Sequence, residues 1–340
     1  MCPGGVRPTC LARVPGRCSS VRGLSAIQTI HKAAPCAHEY REMPVPGKFT
    51  KRYPGYDAVL DTDRCSPRNN ADLTLTMRLG FRQINPMAGA DTGTYHDSGD
   101  PTKELRQIVK WKDGEWAAWK RNFCRSAQDF WDKKFWLDNR TGDFPFQHGT
   151  EIYIPNIFCR FELIGNDDTL GTHHVAIDVV RLADSENFFR SNSRLFDSKD
   201  LVPYTASYDS KNKPIMQRAH VHEVGHLLGL GHVAIGGPGC PADGNTNLTP
   251  CYGVNDEDKH SIMGAGMRLD AVHAAAWVRA FNDLAATPAS AIFRPSLTPP
   301  IYAPPIMKTL PVVAVMSHIY PRNIAEFEAG ARLKALKRGR

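Results

Sequence analysis

The sequence predicts an α+β fold, in which several strands and one long helical segment precede a helix that carries the first two histidines of a three-histidine motif. Residues 73–81 alternate apolar and polar side chains, which is typical of a half-buried strand. Residues 103–137 repeat apolar side chains at helical spacing. Residues 151–164 and 173–182 have the composition of further strands, and 201–208 is a weaker candidate.

Turn-forming residues divide this region into its elements. Residues 84–102 contain Pro, Gly, Asp and Ser, which predict a loop. The Asp113-Gly114 pair is expected to break 103–137 into two helices. The aromatic stripe of the second helix, which includes Trp116, Trp119 and Phe123, is more typical of a core-facing surface than of a ligand site.

The two ends of the chain differ in composition from the middle. Residues 1–68 contain scattered Pro, Gly and Cys without periodicity and predict an irregular N-terminal extension. Residues 269–286 have the pattern of an amphipathic helix. A proline-rich linker is expected over 287–306, followed by a basic tail over 307–340 with a weak helical pattern at 323–338.

The net charge of +7 comes from the two ends, because residues 51–320 carry a slight excess of acidic side chains. A near-neutral body argues against nucleic acid as its partner. Basic residues near the C-terminus fit either a solvated helical end or contact with an anionic surface. The apolar run 310–316 is too short to span a bilayer, so no transmembrane segment is predicted.

Cysteine usage favours an oxidising compartment. The chain has 9 cysteines, and Cys240 and Cys251 flank a loop rich in Gly, Pro and Asn that a disulfide would hold together. Cys124 and Cys159 are a second possible pair, between a helix and a strand. A secreted protein is therefore favoured, although the first 35 residues lack the apolar core of an ordinary signal peptide.

The strongest functional signal is the segment His-Glu-Val-Gly-His-Leu-Leu-Gly-Leu-Gly-His at residues 222–232. His222 and His226 are four residues apart, so a helix presents both rings on one face, one turn apart. Two imidazoles in this arrangement can bind one zinc ion at about 2.0–2.1 Å. Glu223 lies beside the first histidine, where its carboxylate can accept a proton from the attacking water.

The glycine and the third histidine complete the pattern. Gly229 stands where a left-handed residue can end the helix and reverse the chain, which brings His232 back as a third ligand. Three protein ligands leave one coordination position open, as in catalytic zinc sites. The alternative is an amphipathic helix whose histidines are merely packed or hydrogen-bonded, but packing requires neither Gly229 nor His232.

This segment resembles the zinc-binding signature of the metzincin clan of metallopeptidases, and its local sequence is most similar to the matrixin branch. The resemblance extends at motif level over residues 216–286. Ser261-Ile262-Met263-Gly264 is similar to the family's methionine turn, in which the methionine forms an apolar floor beneath the metal. The resemblance therefore assigns Met263 a structural role. Some relatives have a tyrosine ligand two residues later, where this chain has Ala265.

The resemblance also implies an architecture. The catalytic domain would cover 69–286, with a mixed twisted sheet, a backing helix and the zinc helix in an upper subdomain. A smaller lower subdomain would contain the methionine turn and a C-terminal helix. Matrixins carry a zinc-blocking cysteine upstream of the domain, and Cys65 is a weak candidate whose flanking residues match poorly; a disulfide or a free thiol is the alternative.

Three further histidines have no predicted ligand role. His220 lies on a different helix face from His222 and is expected at the surface or in contact with a ligand residue. His173 and His174 are interpreted as solvated strand histidines rather than cleft residues.

The sequence thus predicts a zinc endopeptidase with a protein or peptide substrate and Glu223 as general base; it gives no oligomeric state. Two alternatives remain: a secreted toxin or effector that uses the peptidase on a specific partner, and a non-catalytic binding protein stabilised by zinc.

Overall fold

The computed structural model describes residues 47–62, 71–139, 146–148, 151–153, 155–169, 171–187, 191–286 and 312–319. All of them belong to one compact unit within Arg41–Arg340. The strands are β1 (Lys48–Arg52), β2 (Asp57–Asp61), β3 (Ala71–Ile84), β4 (Thr92–His96), β5 (Leu105–Val109), β6 (Phe135–Asn139), β7 (Phe146–His148), β8 (Glu151–Tyr153), β9 (Ile157–Asp167), β10 (Val175–Val180), β11 (Leu195–Asp197), β12 (Tyr204–Tyr208), β13 (Pro214–Gln217) and β14 (Val312–Met316). The helices are α1 (Asp113–Trp131), α2 (Ala219–Leu227), α3 (Asp256–His260) and α4 (Ala275–Ala286), with short 3-10 turns at Asp97–Gly99, Thr249–Tyr252 and Ala271–Ala274.

A mixed sheet of eight strands forms the centre of the described structure, which confirms the α+β class. One edge of β3 pairs in parallel with β9. Along the other edge, the first half of β3 pairs antiparallel with β2 and the second half pairs in parallel with β10. β6 joins β9, β14 joins β6, and β11 joins β10. The strands β4–β5, β7–β8 and β12–β13 form three separate antiparallel pairs.

The predicted strand at 73–81 is confirmed and extends over the whole of β3. Leu73, Leu75, Met77, Leu79 and Phe81 are all buried, so one face of β3 contributes an unbroken row of side chains to the core. β9 buries its own alternate residues in the same cluster. Alternation with period 2 gives this result because successive side chains of a strand point to opposite faces.

α1 covers this face of the sheet through its aromatic stripe. Trp116, Trp119 and Phe123 are buried and contact the Phe81 ring at centroid distances of 6.2, 5.6 and 5.3 Å. The prediction that this stripe is core is therefore confirmed. At the far end of α1, the Trp131 indole donates to the Val221 carbonyl at 3.2 Å, which ties α1 to α2.

The prediction of two helices over 103–137 is wrong at both ends. Residues 105–109 are β5, which pairs with β4 inside the predicted loop 84–102. Leu105, Ile108 and Val109 have helical spacing, yet Ile108 is buried and Leu105 is exposed, because hairpin pairing decides the local structure. Residues 135–139 form β6, and the Asp113-Gly114 pair begins the single helix α1.

Two segments outside the predicted domain 69–286 contribute to the main sheet. β1 and β2 lie within the predicted irregular extension 1–68, and β14 lies within the predicted tail 307–340. Short strands of this kind have little sequence signal because their stability depends on the strands and core they pack against, such as β3 for β2 and β6 for β14. The strands predicted at 151–164, 173–182 and 201–208 are present as β8 and β9, β10, and β12.

The C-terminal helix predicted over 269–286 is present as the 3-10 turn Ala271–Ala274 followed by α4. Trp277 of α4 is buried, and its indole donates to the Arg160 carbonyl of β9 at 2.9 Å. The proline-rich linker 287–306 and the weak helix at 323–338 lie outside the described residues. Across the described part of the chain, no helix is long and apolar enough to cross a membrane.

Candidate metal centre

Helix α2 ends where the sequence predicts, and this ending positions the third histidine. Gly229 has φ +87°, a left-handed backbone conformation that residues with a side chain rarely adopt. The Gly229 amide donates to the His226 carbonyl at 2.8 Å, and the Leu230 amide donates to the Gly225 carbonyl at 3.0 Å. The chain then reverses, and this reversal brings the His232 ring back beside His226.

The structure brings His222, His226 and His232 together through one nitrogen each. His226 Nε2 lies 3.1 Å from His222 Nε2 and 3.1 Å from His232 Nε2. Tetrahedral zinc ligands at about 2.0–2.1 Å from the metal are about 3.3–3.4 Å apart, so this spacing is close to that of a ligand set. The three residues form a group that could hold a metal ion.

Each ring is held by a main-chain carbonyl on the side away from the centre. His222 Nδ1 donates to the Ile262 carbonyl at 2.7 Å, His226 Nδ1 to Leu230 at 2.8 Å, and His232 Nδ1 to Thr246 at 2.7 Å. A carbonyl only accepts, so each Nδ1 carries the proton and each Nε2 presents a lone pair. Burial also lowers the pKa of His226, which favours the neutral ring that a metal requires.

Met263 lies directly against α2 at Gly225. Its side chain is buried, and a Cβ at Gly225 would lie 2.5 Å from Met263 Sδ and 3.2 Å from the Trp131 ring. Gly225, between the two helical histidines, therefore gives the methionine room to approach the helix. The thioether fills this space as an apolar packing residue.

The turn that carries Met263 is fixed by tight main-chain contacts. The amides of Gly264 and Gly266 donate to the Ser261 carbonyl at 2.9 and 3.1 Å. A Cβ at either glycine would lie 2.2 Å from a carbonyl oxygen of α3, so α3 and this turn pack backbone to backbone.

Gln217, which sequence analysis missed, connects the methionine turn to the start of α2. Its side chain is 3% exposed, and its amide donates to the carbonyls of Gly264 at 2.9 Å and Gly266 at 3.2 Å. Its carbonyl oxygen accepts from the Tyr204 hydroxyl at 3.2 Å. A lone glutamine before a histidine motif carries no recognisable sequence signal.

The loop 233–260 forms the remaining wall of the site and includes the predicted disulfide. Cys240 and Cys251 are joined, with Cα atoms 4.9 Å apart. Thr246, whose carbonyl holds His232, lies within the chain segment that this bond closes. Next to the disulfide, the ring of Tyr252 packs on His232 with centroids 4.0 Å apart. Neither Thr246 nor Tyr252 was predicted to contact the histidines.

Glu223 faces a cavity of about 450 Å³ beside the histidine group. The cavity is lined by His222 and Glu223 from α2, by β12, by the loop 233–260 and by Ala265 of the turn. Glu223 is half-buried. The carboxylate thus lies next to the first histidine and at the wall of a space large enough for a ligand.

His220 is fully buried, so the surface position that was one of its two predicted positions is wrong. Its Nδ1 donates to the Asp200 carbonyl at 2.9 Å, and its Nε2 accepts from the Ser126 hydroxyl of α1 at 2.5 Å. Burial lowers its pKa to about 4, so the ring is neutral at neutral pH. His220 therefore connects α2 to the core and is not part of the histidine group.

The Asp200 carboxyl is also fully buried, close to α2. Burial first, and then the charges of Asp197 and Glu223, raise its pKa well above the usual range. It accepts hydrogen bonds from the Ser191 hydroxyl at 2.5 Å and the Asp197 amide at 2.7 Å.

His173 and His174 are not solvated strand residues; they precede β10 and pair with carboxylates. His173 Nδ1 lies 2.9 Å from Asp168, while His174 lies 3.4 Å from Asp57 and accepts the Arg78 amide at 2.9 Å. The prediction that they lie apart from the cleft holds, since neither lines the cavity beside Glu223.

The remaining cysteine predictions have two outcomes. Cys124 and Cys159 are free thiols, so the suggested second pair is absent, and burial raises the pKa of Cys124 to about 12. Cys65 lies outside the described residues.

Comparisons of this chain with protein-family models, curated proteins and solved structures found no match. The functional interpretation therefore depends on the geometry of the site itself.

Proposed function

We propose that this protein is a zinc-dependent endopeptidase of metzincin type. The observation that carries the proposal is the convergence of three imidazoles, in which His226 Nε2 lies 3.1 Å from the Nε2 atom of each of the other two and a carbonyl fixes the Nδ1 atom of each ring. Histidines that are buried only for packing do not need carbonyl partners that direct three Nε2 lone pairs toward one point. A metal ligand set requires this arrangement.

The donor set fits zinc. Three neutral imidazole nitrogens with an open fourth position are the ligands of catalytic zinc sites, whereas Mg²⁺ and Ca²⁺ prefer oxygen ligands. His222, His226 and His232 would hold the ion. When bound, zinc supplies a Lewis acid that lowers the pKa of water and polarises a carbonyl group.

Glu223 is the proposed general base. Its carboxylate lies beside His222 and faces the cavity, so it is positioned to take a proton from a water and pass it to the leaving amine. Glu223 is the only acidic side chain among the described residues that line the cavity. Burial raises the pKa of the nearby Asp200 carboxyl well above its usual range.

A peptide substrate would lie extended along the cavity, beside β12. Among the described strands β12 pairs only with β13, so no described strand occupies its other edge, where the substrate backbone would form main-chain hydrogen bonds. Tyr204 and Ser207 of this strand line the cavity. In the proposed metzincin architecture, the main sheet, α1 and α2 form the upper subdomain, and the methionine turn with α4 forms the lower one.

An extracellular location belongs to the same proposal. The disulfide Cys240–Cys251 is compatible with an oxidising compartment, where such bonds persist.

The test is Glu223→Gln in the full chain, with zinc content and cleavage of casein and a peptide library measured on the same preparation. We expect full zinc content and a loss of cleavage of roughly 100- to 10,000-fold, the usual contribution of a general base. Glu257→Gln is the matched control, because Glu257 is 81% exposed and lies outside the cavity lining.

Retained proteolysis in Glu223→Gln would remove Glu223 from the mechanism. A wild-type chain that binds zinc stoichiometrically, melts earlier after chelation and cleaves no peptide would instead be a zinc-stabilised binding protein.

A further inference from the structure

The cavity beside Glu223 contains a cation that the proposed reaction does not use. Of the side chains that line it, Lys259 is the only lysine or arginine among the described residues. Lys259 belongs to α3 and is half-buried. The other lining residues from the loop 233–260, such as Asn247 and Thr249, are uncharged.

The Lys259 ammonium has one hydrogen bond and no close ion pair among the described residues. It donates to the Tyr208 carbonyl at 3.3 Å, and no carboxylate of the described residues forms an ion pair with it within 4 Å. An ammonium has three donors, so further donors remain for a ligand after this single bond.

The acidic residues of α3 are engaged with other groups. Asp256 accepts the amide of Ser210 at 2.8 Å and also its hydroxyl. Glu257 pairs with Arg268 at 3.7 Å, and Asp258 accepts from the Asn255 side chain at 2.8 Å. The charge of Asp256 acts on Lys259 through space, but none of the three carboxylates forms an ion pair with the ammonium within 4 Å.

We propose that Lys259 makes this cavity select peptides that carry an aspartate or glutamate side chain next to the scissile bond. The proposal rests on the proposed peptidase function and adds the substrate class to it. A half-buried ammonium gains most from a carboxylate, because the hydrogen bond is charge-assisted and partly shielded from water. A cavity of about 450 Å³ also has room for such a side chain beside the reacting peptide.

The test uses the zinc-loaded full chain and a set of peptides that differ only in one residue beside the scissile bond: Glu, Gln, Leu or Lys. The two readouts are kcat/KM for cleavage and Kd for each labelled peptide by fluorescence anisotropy. We expect the Glu peptide to have a kcat/KM about tenfold higher and a Kd about tenfold lower than the Gln peptide, the effect of one hydrogen bond to a charged group.

Lys259→Met should bring the Glu:Gln ratio close to one, and Lys259→Glu should favour the Lys peptide. Lys211→Met is the matched control and should keep the wild-type ratio, since Lys211 is exposed and is not part of the cavity wall. Zinc content and the far-ultraviolet circular dichroism spectrum establish that each variant is folded.

The two proposals fail in different ways. Equal Kd values for the Glu and Gln peptides, or a ratio that survives Lys259→Met, would overturn the role of Lys259 while leaving the peptidase intact. Selective binding of the Glu peptide without any cleavage would retain the role of Lys259 and refute the peptidase.

Discussion

Gln217 provides the most direct test of how the methionine turn supports the histidine group. The substitution Gln217→Met keeps an unbranched side chain of similar length but removes the amide. The two hydrogen bonds to the Gly264 and Gly266 carbonyls at 2.9 and 3.2 Å are lost, together with the one from the Tyr204 hydroxyl at 3.2 Å. Both carbonyls belong to buried residues, so water does not readily replace the lost donors.

The expected cost follows from these contacts. Each hydrogen bond contributes about 1 kcal/mol net, and a buried carbonyl left without a donor costs about 1–3 kcal/mol, so we expect a loss of about 3 kcal/mol of unfolding free energy. For a domain of this size that corresponds to a decrease in Tm of roughly 6–12 °C. The Ile262 carbonyl of the same turn holds His222, so zinc affinity should fall about 10- to 100-fold.

Urea denaturation, thermal melting and zinc titration against a competing chelator measure these quantities. Gln107→Met is the control, because Gln107 is an exposed residue of β5 and should change none of them. Unchanged zinc affinity together with lower stability would refute the link between the turn and His222. Unchanged stability would refute the energetic reasoning as well.

Two further predictions concern the loop disulfide and pH. Replacing both Cys240 and Cys251 by serine should lower the unfolding free energy by about 3 kcal/mol, the entropic effect expected for a short closed loop. Zinc binding should also weaken, because the Thr246 carbonyl that holds His232 lies in that loop. Full zinc affinity in the double variant, measured by chelator competition, would show that the loop keeps its shape without the bond. Burial lowers the pKa of His220 to about 4 in the folded protein, against about 6.5 in the unfolded chain. Because the unfolded chain binds a proton more readily between these two values, the contribution of His220 to the unfolding free energy is complete above pH 6.5 and decreases by about 3 kcal/mol as the pH falls to 4. His220→Gln should flatten this pH dependence in urea titrations with chelator present, whereas His318→Gln, at an exposed position, should not; parallel curves for wild type and His220→Gln would disprove the assignment.

Local patterns predicted those parts of the fold that local forces decide. The alternation of β3 and the aromatic stripe of α1 required only that one face of each element be buried. The same reasoning failed for β5, whose apolar residues have helical spacing while the segment pairs with β4. It failed for β14 too, because its partner β6 lies far earlier in the chain, and for β1, a short strand in a hairpin with β2.

The site shows the same division. Gly229 and the spacing of the histidines are local requirements, so the sequence predicts them directly. Gln217 and Lys259 have importance only through what they contact in three dimensions, and a glutamine or a lysine alone predicts no contact.

By itself, the sequence determined which three histidines can share one point, because helix periodicity and the conformational freedom of Gly229 fix the directions of their rings. It also identified the cysteine pair that closes the neighbouring loop. Only the tertiary structure decided which carbonyls fix the ring protons and which cation lies in the adjoining cavity. Apart from the Leu230 carbonyl, which lies close to His226 in the chain, these groups come from segments that are separate from α2 in the chain and are brought beside it by tertiary packing.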